Sequence, residues 1–237
     1  MSNHSAYRTF VDRLLKTKDS VREKSTKKRK SLGLRTAREN LDDLVDPGSF
    51  LEFGAFAVAA QRNRRDYEEL QLETSADGIL TGFCNINEDE VGEDNSHAAA
   101  IIYDYSVLAG SQGFFHHQKL DRICEKAEEF SLPVVIFTEG GGGRPGDTDV
   151  TTQIAGLHIP SFSTWARLTG KCLKIAVNNG YCFAGNAVLF GCSDFMIATK
   201  QSWIGMAGPA MIEGGGLGVY DPKEIGPAEE QYKNGVL

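Results

Sequence analysis

The sequence predicts an α/β fold organised around a parallel sheet, and three observations carry that expectation. Two short β-branched strands, residues 133–138 (PVVIFT) and 174–178 (KIAVN), are separated by helical sequence. Each runs into a glycine loop, residues 140–146 and residues 180–186. The second loop leads into an apolar helical run at residues 187–190. Strands separated by helices signal parallel pairing, and open parallel sheets bind ligands at the carboxyl ends of their strands. Both loops stand at such ends. Glycine lets backbone approach a ligand closely. Exposed N–H groups there, or at a helix N-terminus, hold an oxyanion or a phosphate.

The remaining elements follow in order. Phe10, Val11, Leu14 and Leu15 share one helical face within residues 1–20. A second helix is expected over residues 34–44, ended by Asp46-Pro47-Gly48. Residues 49–53 read as a short strand, and residues 62–67 as charged and exposed. Strands at residues 76–87 and 98–104 flank an acidic segment, which predicts a β-hairpin with a long tip. Gly110-Ser111-Gln112-Gly113 opens a long helix that carries Phe114, Leu120, Ile123, Cys124 and Ala127 on one face. Ser111 is its expected N-cap.

With 237 residues the chain can hold one good-sized α/β domain or two small ones. Its 41% hydrophobic and 24% charged content is that of a soluble globular protein. A formal net charge of −7 counts against a nucleic-acid partner. No apolar run reaches membrane-spanning length, so no membrane partner is expected. Residues 1–40 nevertheless hold twelve Lys or Arg against four acids, most densely at residues 24–30. That run reads as a solvated helix face or a loose arm; a dock for an acidic partner or a phosphorylated ligand is the alternative. Asp12, Asp19 and Glu23 interrupt it, which counts against a transit peptide. Five cysteines without a CxxC support neither a disulfide framework nor a zinc ribbon. They read as buried free thiols in a reducing, cytoplasmic compartment.

Several motifs are weighed and set aside. Residues 141–146 fit GxGxxG, but the next strand ends Val177-Asn178-Asn179, with no acid to hold a ribose. No glycine loop carries the Lys and Ser/Thr of a P-loop. Ala109-Gly110-Ser111-Gln112-Gly113 misses the nucleophile-elbow pattern at its first position. Cys182 has no histidine near it in sequence, so it is not taken as a nucleophile. His116 and His117 read as polar surface positions. His97 and His158 have no metal-ligand spacing with any acid or cysteine, and no metal site is expected.

Five segments in collinear order resemble the carboxyltransferase (β) subunits of biotin-dependent acyl-CoA carboxylases. They are residues 37–52, residues 76–82, Gly110-Ser111-Gln112-Gly113, residues 133–144 with their GGAR-like loop, and residues 182–187 followed by Ser193-Asp194-Phe195. The resemblance covers residues 36–237. It implies a crotonase-like (ClpP/crotonase) ββα superhelix with an N-terminal helical extension: residues 1–35 as the extension, residues 36–237 as the N-terminal half of a carboxyltransferase. In this family a carboxyl group passes from N1-carboxybiotin to the α-carbon of a short acyl-CoA, here acetyl- or propionyl-CoA, through an oxyanion-stabilised enolate. The resemblance assigns the backbone amides of Gly141, Gly142 and Gly143 to the oxyanion hole, Ala184 and Gly185 to the acyl-CoA lining, and Gly110 and Ser111 to CoA contacts. Biotin would be carried on a partner protein or domain. The implied partners are the missing C-terminal carboxyltransferase half, a biotin carboxylase, a biotin carrier protein and further copies of the chain.

The sequence departs from the family pattern in places. Gly140 stands where the family has serine, Gly143 where it has alanine, and Asn186 where it has a second glycine; Phe183 is bulky. Family members carry a second crotonase-like half, so the chain is expected to be a fragment or one part of a split enzyme. Two other readings stay open. One is a stand-alone crotonase-type CoA hydratase or decarboxylase, which needs an acid or base near the loops, and Glu139 is the one suggestive acid. The other is a non-catalytic assembly module.

Overall fold

A computed structural model describes residues 3–150 and 159–237. His158 lies outside the described residues. Three helices lead the chain: α1 (Asn3–Leu15), α2 (Glu23–Ser31) and α3 (Ala37–Leu44). Strand β1 (Leu51–Phe53) and helix α4 (Tyr67–Glu73) follow, then the hairpin of β2 (Ile79–Asn85) and β3 (His97–Tyr103). Its tip carries the short helices α5 (Glu88–Val91) and α6 (Glu93–Ser96). Next come α7 (Phe114–Phe130), β4 (Val134–Phe137), α8 (Ser161–Arg167), β5 (Lys174–Asn178), β6 (Tyr181–Phe183) and α9 (Gly185–Gly191). Strands β7 (Phe195–Ala198) and β8 (Trp203–Gly205) precede the short helices α10 (Pro209–Gly214) and α11 (Ala228–Lys233).

The main sheet has the order β1-β2-β3-β4-β5-β7. β1, β2 and β3 pair antiparallel, and β3, β4, β5 and β7 pair parallel. β6 and β8 form a separate parallel pair. Alternate residues of each strand face opposite sides of a sheet. Ala99, Ile101, Val134, Ile136 and Ala176 therefore pack beneath α7, α8 and α9 against Leu120, Ile123, Trp165, Leu189 and Phe190. Ala98, Ala100 and Ile102 face the other side, against Ala37 and Leu41 of α3. Burying each large aliphatic side chain here contributes roughly 1.5–3 kcal/mol. The hairpin and the parallel core stand as the sequence pattern predicts.

Four local expectations are corrected. The second helix begins at Ala37 rather than at residue 34, because Thr36 and Glu39 form a capping box: Glu39 N–H donates to Thr36 Oγ1 (3.1 Å) and Thr36 N–H to Glu39 Oε2 (2.8 Å). The basic run is the helix α2, whose exposed Lys24, Lys27, Lys28 and Lys30 form the expected solvated face; the correction is that Thr26 and Arg29 within it are buried. Ser111 does not cap α7; Gly113 occupies the N-cap, and Ser111 Oγ donates to Leu108 O (2.6 Å). His116 and His117 are buried rather than exposed.

Candidate functional site

Three loops meet at the carboxyl ends of β3, β4 and β5. The glycine loop after β4 lies between the other two and is laced to both. On one side Gly141 N–H donates to Ala109 O (2.9 Å), Gln112 N–H to Gly142 O (2.8 Å) and Arg144 N–H to Gln112 O (2.9 Å). On the other, Gly140 N–H donates to Tyr181 O (2.7 Å) and Phe183 N–H to Gly140 O (2.9 Å). Gly142 has φ +88°, and a Cβ there would lie 2.7 Å from the Cβ of Ala184. A Cβ on Gly185 would strike the Gln112 side chain. The structure thus gathers Gly110, Ser111, Gly141, Gly142, Gly143, Ala184 and Gly185 into one cluster.

The amides of that cluster are not equivalent. Gly141 N–H is committed to Ala109 O, and Gly142 N–H to Asn186 Oδ1 (3.0 Å). Among the described residues Gly143 N–H has no acceptor, and Gly143 is exposed. Gly185 N–H, at the first turn of α9, is also free among the described residues, whereas Ala184 N–H donates to Gly205 O (2.9 Å). Ala184 itself has φ +53° and ψ −121°, a conformation that costs a non-glycine residue about 1–3 kcal/mol.

Side chains that the sequence reading did not single out fix this geometry. Buried Asn186 of α9 ties that helix to the end of β4: it accepts from Gly142 N–H and donates to Thr138 O (3.0 Å). The guanidinium of Arg144 donates to Asp77 Oδ1 (2.6 Å), Asp147 Oδ1 (2.8 Å) and Ser111 O (3.3 Å). The same two carboxylates cap α7 from outside, because Phe114 N–H donates to Asp147 Oδ2 (2.8 Å) and His116 N–H to Asp77 Oδ2 (2.8 Å). That is why Ser111 is not needed as a cap. Acids at a helix N-terminus also complement its dipole.

Arg29 of α2 reaches the same cluster. Its two terminal nitrogens grip the Glu139 carboxylate at 3.1 and 2.7 Å, and both residues are buried. Burial pushes the Glu139 carboxyl above its usual range, while Arg29 pulls the other way. A signal for Arg29 existed in the sequence: Arg22, Thr26 and Arg29 recur at helical spacing within a lysine-rich run, and arginine, unlike lysine, suits buried bidentate pairing. Arg22 is the counterpart, donating to Asp104 Oδ2 (3.0 Å).

Between α2 and the loops lies a cavity of about 580 Å³, lined in part by Lys28, Tyr105, Glu139, Tyr181, Trp203 and Lys223. Tyr181 and Trp203 have ring centroids 5.0 Å apart, and the Lys223 ammonium lies 6.0 Å from the Trp203 ring. Aromatic faces with ammonium groups at the rim suit a flat, anionic group. Cys182 is buried and its thiol is pushed up to about 12 by burial, so it is no nucleophile.

Glycine loops at the carboxyl ends of parallel strands, beside the start of a short helix, define a crotonase-like domain. The chain belongs to the carboxyl transferase domain family, which matches residues 28–236. It is 31% identical over 192 residues to the methylmalonyl-CoA carboxyltransferase 12S subunit of Propionibacterium freudenreichii subsp. shermanii, covering 81% of this chain and 34% of the relative. It is 29% identical to the biotin-dependent long chain acyl-coenzyme A carboxylase beta4 subunit of Mycobacterium tuberculosis, covering 95% of this chain and 40% of the relative. A solved single-chain, multi-domain long-chain acyl-CoA carboxylase superposes over 100% of this chain and 23% of its own, with a TM-score of 0.93 and 50% identity. The chain therefore spans well under half the length of these relatives.

Proposed function

We propose that this domain is the acyl-CoA-binding half of a biotin-dependent carboxyltransferase. The observation that carries the reading is the exposed Gly143 N–H, unpaired among the described residues, beside the start of α9, with the aromatic, cation-rimmed cavity adjoining the same loops. Loss of the α-proton from a thioester, which the partner-carried biotin would accept once its carboxyl group has left, places negative charge on the carbonyl oxygen. Gly143 N–H, with Gly185 N–H, stabilises that oxyanion. Gly141 and Gly142 shape the turn that presents it, and Gly110, Ser111 and Ala184 form the adjoining wall. One such donor lowers the barrier by on the order of 3 kcal/mol. Biotin, carried on a partner, would supply the carboxyl group that the resulting enolate takes up. The proposed partners are a second carboxyltransferase half, a biotin carboxylase and a biotin carrier protein in a cytoplasmic homo-oligomer. Residues 1–35 form an extension that contributes Arg22 and Arg29 to the body of the domain. Among the described residues no helix is long and apolar enough to cross a membrane.

The hydratase or decarboxylase reading needs a free acid or base at the loops. Glu139 is buried and held by both terminal nitrogens of Arg29, which counts against it as that group. The test is a calorimetric titration of the folded chain with acetyl-, propionyl- and a long-chain acyl-CoA, with 3′-dephospho-CoA as control. Saturable binding that depends on the acyl group supports the reading. No binding by any acyl-CoA counts against it.

A further inference from the structure

The Arg29–Glu139 pair occupies a singular place. Glu139 immediately precedes the glycine loop after β4, and its carboxylate lies against Gly180, where a Cβ would strike it. Its carbonyl oxygen packs against Gly110, where a Cβ would come within 2.5 Å. One residue therefore touches the loops after β3, β4 and β5 together. Arg29 is itself fixed: its Nε donates to Arg35 O (2.8 Å), and its guanidinium lies over the Tyr105 ring at 5.5 Å. A buried bidentate pair is rigid when both members are otherwise satisfied.

We infer that Arg29 is a positioning residue: through Glu139 it sets the spacing of the three loops, so that the basic N-terminal extension is a working part of the acyl-CoA half-site. The inference rests on the acyl-CoA reading for its chemical consequence, but its structural part can be read without ligand. A merely structural pair would alter overall stability and leave the loops of the folded protein unchanged. A positioning pair loosens the loops while the core stays intact.

The test is amide hydrogen exchange on the full chain as wild type, Arg29→Lys and Glu139→Gln, with Arg29→Met added where it folds. Arg29→Lys keeps the charge but loses the fork, and Glu139→Gln keeps the shape but loses the charge. The expected result is exchange about tenfold faster in segments 138–143 and 179–186, with α7 and β4 unchanged. Unchanged loops, a rise confined to α2, or a uniform rise throughout the chain would overturn the inference. Acetoacetyl-CoA supplies the second readout, because an oxyanion site raises its near-ultraviolet enolate band. That band should fall in Glu139→Gln at saturating ligand, and fall less in Arg29→Lys. Loops that loosen without any enolate band in the wild type would sink the acyl-CoA reading and leave the coupling standing. A wild-type band that persists unchanged in folded variants would sink the coupling and leave the reading standing.

Discussion

Asn186 holds the amide of Gly142. Its Oδ1 accepts that N–H at 3.0 Å while its Nδ2 donates to Thr138 O at 3.0 Å, so one buried amide ties the helix after one glycine loop to the turn of the other. Asn186→Ala leaves two buried backbone groups without partners. Each such group costs about 1–3 kcal/mol, so the expected loss is ~2–4 kcal/mol of unfolding free energy, read from the denaturant midpoint. Asn186→Asp keeps the acceptor but replaces the donor with a buried carboxylate oxygen facing Thr138 O, and should lose at least as much at neutral pH. An alanine variant as stable as the wild type would show that the bridge does not hold the loops.

Ala184 is strained at φ +53° and ψ −121°. Glycine adopts that conformation freely. Ala184→Gly is therefore expected to stabilise the chain by ~1 kcal/mol in chemical denaturation, where a glycine in an ordinary position destabilises. A loss of stability would mean that Ala184 is unstrained in solution.

His117 carries a pH dependence. Its ring is buried, with Nδ1 2.9 Å from Ser161 Oγ, and burial followed by the nearby Arg144 charge lowers its pKa from 6.5 to about 4. A histidine depressed in the folded state is neutral there, while the unfolded chain takes up a proton below 6.5. The native state thus loses stability as pH falls from about 6.5 to about 4, by on the order of 3 kcal/mol. His116, buried and lowered well below its usual value, adds to the same slope. His117→Gln should flatten it. Parallel stability profiles for variant and wild type between those pH values would contradict the assignment.

The thiols divide sharply. Cys84, Cys124, Cys172 and Cys182 are buried, and Cys192 is exposed. Burial pushes Cys84 and Cys182 up to about 12, so they hold almost no thiolate at neutral pH. One thiol should react quickly with a disulfide reagent in the native chain, and all five after denaturation. Two or more fast thiols would place a second cysteine at the surface.

Short β-branched and apolar runs made the hairpin strands and the parallel core legible in the sequence, because each run is a local signal. The glycine loops were legible as glycine-bearing segments that directly follow two of those runs. Which amide stays free was not: it depends on Ala109 O and Asn186 Oδ1, which reach the loop from distant parts of the chain. Arg29 and Glu139 are 110 residues apart, so although each carries a local signal, the sequence does not say that the two pair. His116 and His117 look polar in sequence, yet the outside caps Asp77 and Asp147 draw the start of α7 inward and bury both.

The most direct measurement is a titration of the ¹⁵N-glycine-labelled chain with acetyl-CoA and propionyl-CoA, followed by amide resonances. The expected result is saturable movement of the Gly143 and Gly185 amides, with Gly141 and Gly142 moving less and Gly48 and Gly92, at the opposite end of the sheet, unmoved. Saturation of the chain with acyl-CoA while Gly143 and Gly185 stay in place would contradict the oxyanion assignment.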